Sequence, residues 1–427
     1  MNANGHEIWL KGEVEEWKNQ GIIDDYQAKK ILSKYGFAEI PPEIPVSEDK
    51  STNLITVISA LGSILIGVGA ILLVASNWNL FPDFLKLIIL FGTTFATYFV
   101  GWKLKYETKS HPKLGHTLVF LASIFVGVTI FLTAQIFNVN AGAHWLVFAW
   151  FLAILPFGYA FDSKQILGLN IFTFVTWMIL YVTSLSGANL SLYEIFMLFL
   201  LFGISLYGLG QMHSTMRSFS HFRITYQGVG LLFILIFYFF FSLENTYQNM
   251  FIESTSTNWT IQFLFILFGI TSLISIIKSG STSDKFNTVK HEFLVLLIAF
   301  LGWGGIWLFK LLLLDDLIIS TTTNYDYTYT TLNPTAATLL FIFFNLLFFI
   351  LSIGSILIGY NKFIVPFVNL GMFFFVLGIL NLYFTALYEY LPRSLAFIIG
   401  GLILLGGGWY LENKRRSLIN EMESHKA

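Results

Sequence analysis

The residues best placed to meet a substrate stand at the ends of long apolar runs. Asn77, Trp78, Asn79, Phe81, Pro82 and Asp83 lead into one such run, and Lys86 follows Asp83 by three positions, so the two charges share a helical face. A charge sunk into a membrane edge is costly and, where kept, often functional. The same spacing also lets Lys86 snorkel outward to Asp83 while Trp78 joins the interfacial aromatic belt. Gln135 and Asn138, followed by Asn140 and His144, mark the end of another run. Amides there can line a polar vestibule or bond a neighbouring helix at about 1 kcal/mol. Asn77, Trp78, Asn79, Asp83, Lys86, Gln135 and Asn138 are therefore the candidate substrate-pathway residues. Asp83 is also the acid that a membrane-embedded transferase would place in its first outer loop.

The inventory for other chemistry is thin, and no catalytic residue, metal ligand or cofactor is expected. The chain has no cysteine, which excludes disulfides, thiolate catalysis and Cys-ligated metal centres. It has no His-Glu-x-x-His, no Gly-x-Ser-x-Gly and no Walker loop. Gly67 and Gly69 follow no strand and lack the third glycine of a dinucleotide fingerprint. The eight histidines fall in the leader, tail, loops or span edges, so no buried relay or metal cluster is expected.

These residues must be positioned by membrane helices. Of 427 residues, 56% are hydrophobic and only 11% charged, against about a quarter charged in a soluble domain. A bilayer core about 30 Å thick needs roughly 20 apolar residues per helix. That length places spans near 54–76, 84–102, 114–135, 145–161, 166–184 and 192–212, then 224–243, 259–277, 292–314, 335–360, 363–385 and 394–411. All are expected to be helical, since unpaired backbone amides in hydrocarbon are costly and no alternating barrel pattern occurs. The fold class is thus all-α, a polytopic transmembrane bundle of about twelve spans. The first run, behind a charged leader, is read as a retained span rather than a cleaved signal.

Lysine and arginine set the orientation. With both termini cytoplasmic, all 24 basic residues except Lys86, Lys310 and Arg393 fall in inner segments. Losing or adding one span would reverse every later loop, so the asymmetry tests the count too. The expected organisation is a cytoplasmic helical hairpin at 1–40, a Pro-rich linker at 41–53, a six-span half at 54–212, a basic loop at 213–223, a second six-span half at 224–411 and a basic tail at 412–427.

In the leader, Leu10, Val14 and Trp17 share helical spacing before Gly21. Asp24 with Gln27 has capping-box spacing, and Ala28, Ile31, Leu32 and Tyr35 form a stripe ending at Gly36. Residues 1–50 carry six lysines against ten acids, so nucleic acid is not an expected partner. The expected partners are the lipid bilayer and, at the hairpin, another protein. Residues 315–334, rich in Thr and Tyr, read as a polar outer loop. Pro156 and Gly158 are read either as a break of the kind transporters use around a substrate or as an ordinary kink. Lys310 is expected to reach Asp315 and Asp316. Glycine-rich faces at 302–305 and 400–408 read as helix packing.

Trp17, Gly21, Ile22, Ile23, Ala28, Ile31, Leu32, Tyr35 and Gly36 form one set of matching features. Leu61-Gly62, Gly67, Gly69 and Ala75-Ser76-Asn77-Trp78 form a second, and Ala134-Gln135-Ile136-Phe137 and Trp150 to Pro156 a third. Over roughly the first 160 residues these resemble a family of bacterial predicted membrane proteins, the domain of unknown function numbered 2157. Gly400 to Arg416 also resembles the ending such proteins share. The resemblance implies a multi-pass protein of the bacterial inner membrane and supplies no catalytic residues. The expected role is transporter- or flippase-like, for a small polar or lipid-linked substrate. The alternatives are a scaffold or assembly factor that docks partners through the hairpin, and a membrane-embedded transferase.

Overall fold

The computed structural model describes residues 3–19, 23, 25–35, 76, 78–109, 111–185, 192–214, 216, 218–243, 258–281, 286–312, 318–322, 328–386 and 393–424. They fall into two compact units, Met1–Pro82 and Asp83–Ala427. The predicted linker and the first predicted span, up to residue 75, lie outside the described residues, as do Gly21, Asp24 and Gly36.

In the first unit α1 (Ala3–Asn19) and α2 (Asp25–Lys34) form the expected helix pair. Val14 and Ala28 are its buried residues, and Ile23 N–H bonds the Trp17 carbonyl across the turn. Tyr35, placed on the apolar stripe by its spacing, is instead exposed, as is Trp9. A short 3-10 turn, Trp78–Leu80, closes the unit.

The second unit begins with α3 (Asp83–Trp102), α4 (Pro112–Ile136), α5 (Ala143–Ala160), α6 (Lys164–Ser184) and α7 (Leu192–Ser214). It continues with α8 (Arg223–Ser242), α9 (Trp259–Ser281), α10 (Phe286–Leu312), α11 (Pro334–Asn361), α12 (Val365–Ala386) and α13 (Arg393–Ser424). Among the described residues ten helices, α3 to α12, are long and apolar enough to cross a bilayer. They occupy ten of the twelve predicted positions. The twelfth, 394–411, lies inside α13, which runs unbroken for 32 residues into the predicted tail. Successive helices are antiparallel: Tyr98 meets Ser123 and Thr94 meets Thr129, so residue numbers fall on α3 as they rise on α4.

The fold is not purely helical. Within the stretch read as a loop, β1 (Ile318–Thr322) pairs antiparallel with β2 (Thr328–Leu332), with Ser320 opposite Thr330. Isoleucine, threonine and tyrosine are good strand formers, so a Thr- and Tyr-rich stretch that reads as a polar loop can pair as strands. Nor does α5 break. It continues through Pro156, and Asn170 of α6 donates to the Ile154 carbonyl beside the proline. A side chain of α6 thus bonds the α5 backbone two residues before the proline.

The core is centred on α7. Leu200, Leu201, Ile204 and Tyr207 are fully buried on several of its faces, which marks a helix surrounded by others. It meets α8 along glycines. A Cβ on Gly230 would stand 2.4 Å from the Tyr207 nitrogen, and one on Gly203 3.0 Å from the Gly230 oxygen. Outward-facing side chains such as Phe95, Phe99 and Ile266 are exposed, as lipid-facing residues are.

The seam yields a direct contrast. Gly230→Ala is expected to destabilise the protein by about 1–3 kcal/mol through overpacking against backbone. Gly92→Ala, with open space around its Cβ, should be neutral or stabilising by up to about 1 kcal/mol. Apparent unfolding midpoints in one detergent would check both, and a Gly230→Ala protein as stable as wild type would contradict the close approach.

Candidate functional site

The structure brings the predicted site residues together in two groups. Asp83 opens α3, and Lys86 Nζ lies 2.9 Å from Asp83 Oδ1, the snorkelling pair that the spacing suggested. At the end of α4, Gln135, Asn138 and Asn140 share an open recess of about 680 Å3 with Phe131 and Leu146. Asn138 has φ 48°, a left-handed conformation that asparagine tolerates, and it turns the chain out of the helix. Trp78 and Asn79 lie in the 3-10 turn of the first unit, and Asn77 falls outside the described residues. Lys310 stands 4.2 Å from the centre of the Tyr193 ring, while Asp315 and Asp316, its expected partners, are outside the described residues.

Two further sites were not anticipated. The first is an apolar groove of about 480 Å3 between the α5–α6 pair and helices α7, α8 and α9. On α5 its lining runs from Trp145 to Leu155 and on α6 from Leu167 to Trp177, about 15 Å of helix in each case. Phe148, Phe174 and Phe268 stand in the aromatic wall, with Phe174 in contact with Phe268. Four polar side chains line it from buried positions, Asn170, Trp177, Ser205 and Tyr226, and the first two each keep an unpartnered atom. Asn170, 2% exposed, commits its Nδ2 to the Ile154 and Ile166 carbonyls, and its Oδ1 has no partner among the described residues. Trp177, 4% exposed, likewise has no partner for its indole N–H. A groove walled almost wholly by apolar side chains is shaped for an occupant that is apolar over most of its length.

At one end of this groove Tyr226 closes the lining. Its hydroxyl lies 2.7 Å from that of Tyr159, which lies 3.1 Å from His213 Nε2, and His213 Nδ1 meets the Leu209 carbonyl at 2.8 Å. Phe219 and Phe222 pack edge-on against Tyr159.

The second unanticipated site is a buried ion pair. Arg223, first residue of α8, donates through Nη2 to Glu292 Oε1 on α10, and through Nε to Gln227 Oε1 at 2.9 Å. Glu292 is fully buried. Around it Glu292 Oε2, Gln227 Nε2, the Tyr207 hydroxyl and both amide atoms of Gln211 lack partners among the described residues. Tyr207 and Gln211 are one helical turn apart and share a face of α7. Lys362, in the turn between α11 and α12, is within electrostatic reach of the pair. Burial holds its pKa below the usual lysine value, Glu292 opposes that shift and Arg223 adds to it.

One end of the second unit collects the basic turns. Lys105 donates to the Phe161 carbonyl, Tyr159 reaches His213, Arg223 reaches Glu292, and Arg415 of α13 donates to Asn369 of α12. There Arg415 and Arg416 hold the Glu412 carboxyl at a pKa of about 2 by hydrogen bonding.

Comparison with known proteins gives one match. Residues 15–167 match a family described as predicted membrane protein, DUF2157. The resemblance read in the leader, at Asn77-Trp78 and through Pro156 holds over that stretch. It runs from α1 to the start of α6, so it takes in one wall of the groove and leaves out α7, α8, α9 and the buried ion pair. No curated protein and no solved structure matches the chain.

Glu292 and Arg223 escaped the sequence reading because each opens a span beside other charged residues and looks like a surface charge. Their signal was the recurrence of polar residues one turn inward, Arg223 to Gln227 and Tyr207 to Gln211. Breaking the pair has a stated cost. Arg223→Met, which strands the carboxylate, should destabilise the protein by about 3–5 kcal/mol, and Arg223→Met with Glu292→Leu should recover most of it. Equal damage from the double variant in thermal unfolding would contradict this account. Lys362 adds a pH effect. A lysine whose folded pKa is lowered holds fewer protons folded than unfolded, so stability rises with pH between that value and the ordinary 10.5. Lys362→Met should flatten this rise, and an unchanged slope would remove Lys362 as its source.

Proposed function

We propose that the protein binds the apolar chain of a membrane lipid or lipid-linked molecule in the groove and moves that molecule across the bilayer, as a transporter- or flippase-like protein. The observation that carries this reading is the groove itself. It is faced with aromatic rings along about 15 Å of two helices and is almost wholly apolar. Soluble substrates call for several convergent polar groups, whereas an acyl or isoprenoid chain needs an apolar slot. The lining comes from α5, α6 and α7 of the first predicted half and from α8 and α9 of the second. Movement of the α5–α6 pair against α7, α8 and α9 would therefore reshape it.

The collected basic turns support an orientation with that end, and both termini, in the cytoplasm, in keeping with a bacterial inner membrane. In this reading the recess at Gln135 and Asn138 and the Asp83–Lys86 pair lie at the outer surface, where they would meet a polar headgroup. A second reading, a scaffold that docks a protein through the leader, is favoured by the exposed Trp9 and Tyr35 on a unit that is compact by itself.

A phospholipid with a photoactivatable acyl chain, incorporated into nanodiscs with the full chain, tests binding. Labels are expected at Phe148, Phe174 and Phe268, and labels confined to outward residues such as Phe95 and Phe99 would sink the groove as a lipid site. Movement is tested in vesicles with a fluorescent phospholipid bleached from outside. Wild type should expose inner-leaflet label to the reagent, and Ser205→Trp, which fills the groove, should not. Vesicles that keep their inner label with wild type would leave a lipid-binding protein that does not transport phospholipid.

A further inference from the structure

Building on the groove as a lipid site, we propose that Tyr226 is the contact for an acceptor oxygen on the bound amphiphile, and that protonation of His213 turns this contact on. The argument follows from the placing of four hydrogens. The Leu209 carbonyl can only accept, so His213 Nδ1 carries the hydrogen in their 2.8 Å bond. In a neutral imidazole Nε2 is then bare, and Tyr159 donates to it across 3.1 Å. The single hydroxyl hydrogen of Tyr159 is engaged there, so in the 2.7 Å contact Tyr226 is the donor. All hydrogens run one way, from Tyr226 through Tyr159 to His213 and on to Leu209. In this state the Tyr226 hydroxyl offers the groove lone pairs and no hydrogen.

A proton added to the imidazole makes Nε2 a donor, and Tyr159 must accept from it. The hydroxyls of Tyr159 and Tyr226 then have one mutual bond for two hydrogens. Whichever donates to the other, one hydrogen is left without an acceptor in the triad. The Phe219 and Phe222 rings wall Tyr159 in edge-on, and Tyr226, unlike Tyr159, lines the groove. The free hydrogen is therefore met from the groove, by an ester or phosphate oxygen of the occupant. A chain with such an oxygen gains a bond only in the protonated state, and a chain without one leaves a buried donor unpaired.

Other titratable and charged groups stand around the triad. His221 Nε2 lies 2.8 Å from Asp162 Oδ1, near enough for an ion pair though out of line for a hydrogen bond. Arg223 is engaged by Glu292 and Gln227, and Lys105 and His116 lie beside the 161–163 turn. The hydrogen bonds of His213 run to Tyr159 and Leu209 and to none of these groups among the described residues, so His221→Gln serves as the control.

The test uses the full chain in nanodiscs, with lauroyl lysophosphatidylcholine as competitor against the photoactivatable phospholipid. The competitor has ester and phosphate oxygens and does not titrate between about pH 8 and about pH 5.5, the range in which histidines change charge. Its affinity for wild type and for His221→Gln is expected to rise roughly fivefold or more as pH falls across that range. Tyr226→Phe should still be labelled in the groove but bind equally at both pH values, and His213→Gln should behave the same way. A pH response kept by Tyr226→Phe, or absent from wild type while the groove is labelled, overturns the switch and leaves the lipid site standing. Absence of groove labelling at any pH overturns the lipid site instead. If His213→Gln does not fold, Tyr226→Phe alone decides.

Discussion

The close approach of α7 and α8 is the constraint on which the rest of the second unit depends. Where lipid surrounds the protein, helices gain little from hiding apolar surface and associate by packing and by polar contacts. Gly203, Gly210 and Gly230 let the two backbones nearly touch. With α8 so near, α7 has little lipid-facing side left, and α9 and α10 pack against its other faces. The seam also fixes where α8 begins. Arg223 starts the helix opposite Gly210, one turn from Gln227, and this is where Glu292 of α10 meets it. Tyr226, three residues on and about 60° round the helix, ends the groove.

The same seam separates two polar environments at one end of the bundle. On one side a fully buried carboxylate is held by a guanidinium, with several amide and hydroxyl atoms left to find other partners. On the other side a histidine and two tyrosines satisfy one another in a line. The first resists change, because removing either charge strands the other. The second can reverse its direction of donation without moving a heavy atom.

The sequence made the long elements legible and their juxtapositions less so. Apolar runs bounded by lysine or arginine gave ten helices at their observed positions, since hydrocarbon thickness dictates length and leaves little choice of structure. Asp83 and Lys86 were readable as a pair because they are three residues apart on one helix. Arg223 and Glu292 are 69 residues apart, and their meeting depends on glycine contacts that no single helix reveals. Asn170 and Trp177 lie in an ordinary apolar run and gain meaning only when α5 and α9 come to face them. The strand pair after α10 was hidden by composition: threonine and tyrosine serve a solvated loop and a β-ladder equally well.

The last helix carries a mechanical implication. A continuous α13 of 32 residues is about 48 Å long, while a bilayer core is about 30 Å thick. Set across a bilayer, it would leave about a third of its length beyond the hydrocarbon, as a rod with no joint between its apolar length and the turn that bears Glu412, Arg415 and Arg416. An unjointed rod converts a small tilt at one end into a larger sweep at the other. Through Asn369, Arg415 ties that rod to the start of α12, so any rocking of the bundle would be read out at the surface as displacement of a charged lever.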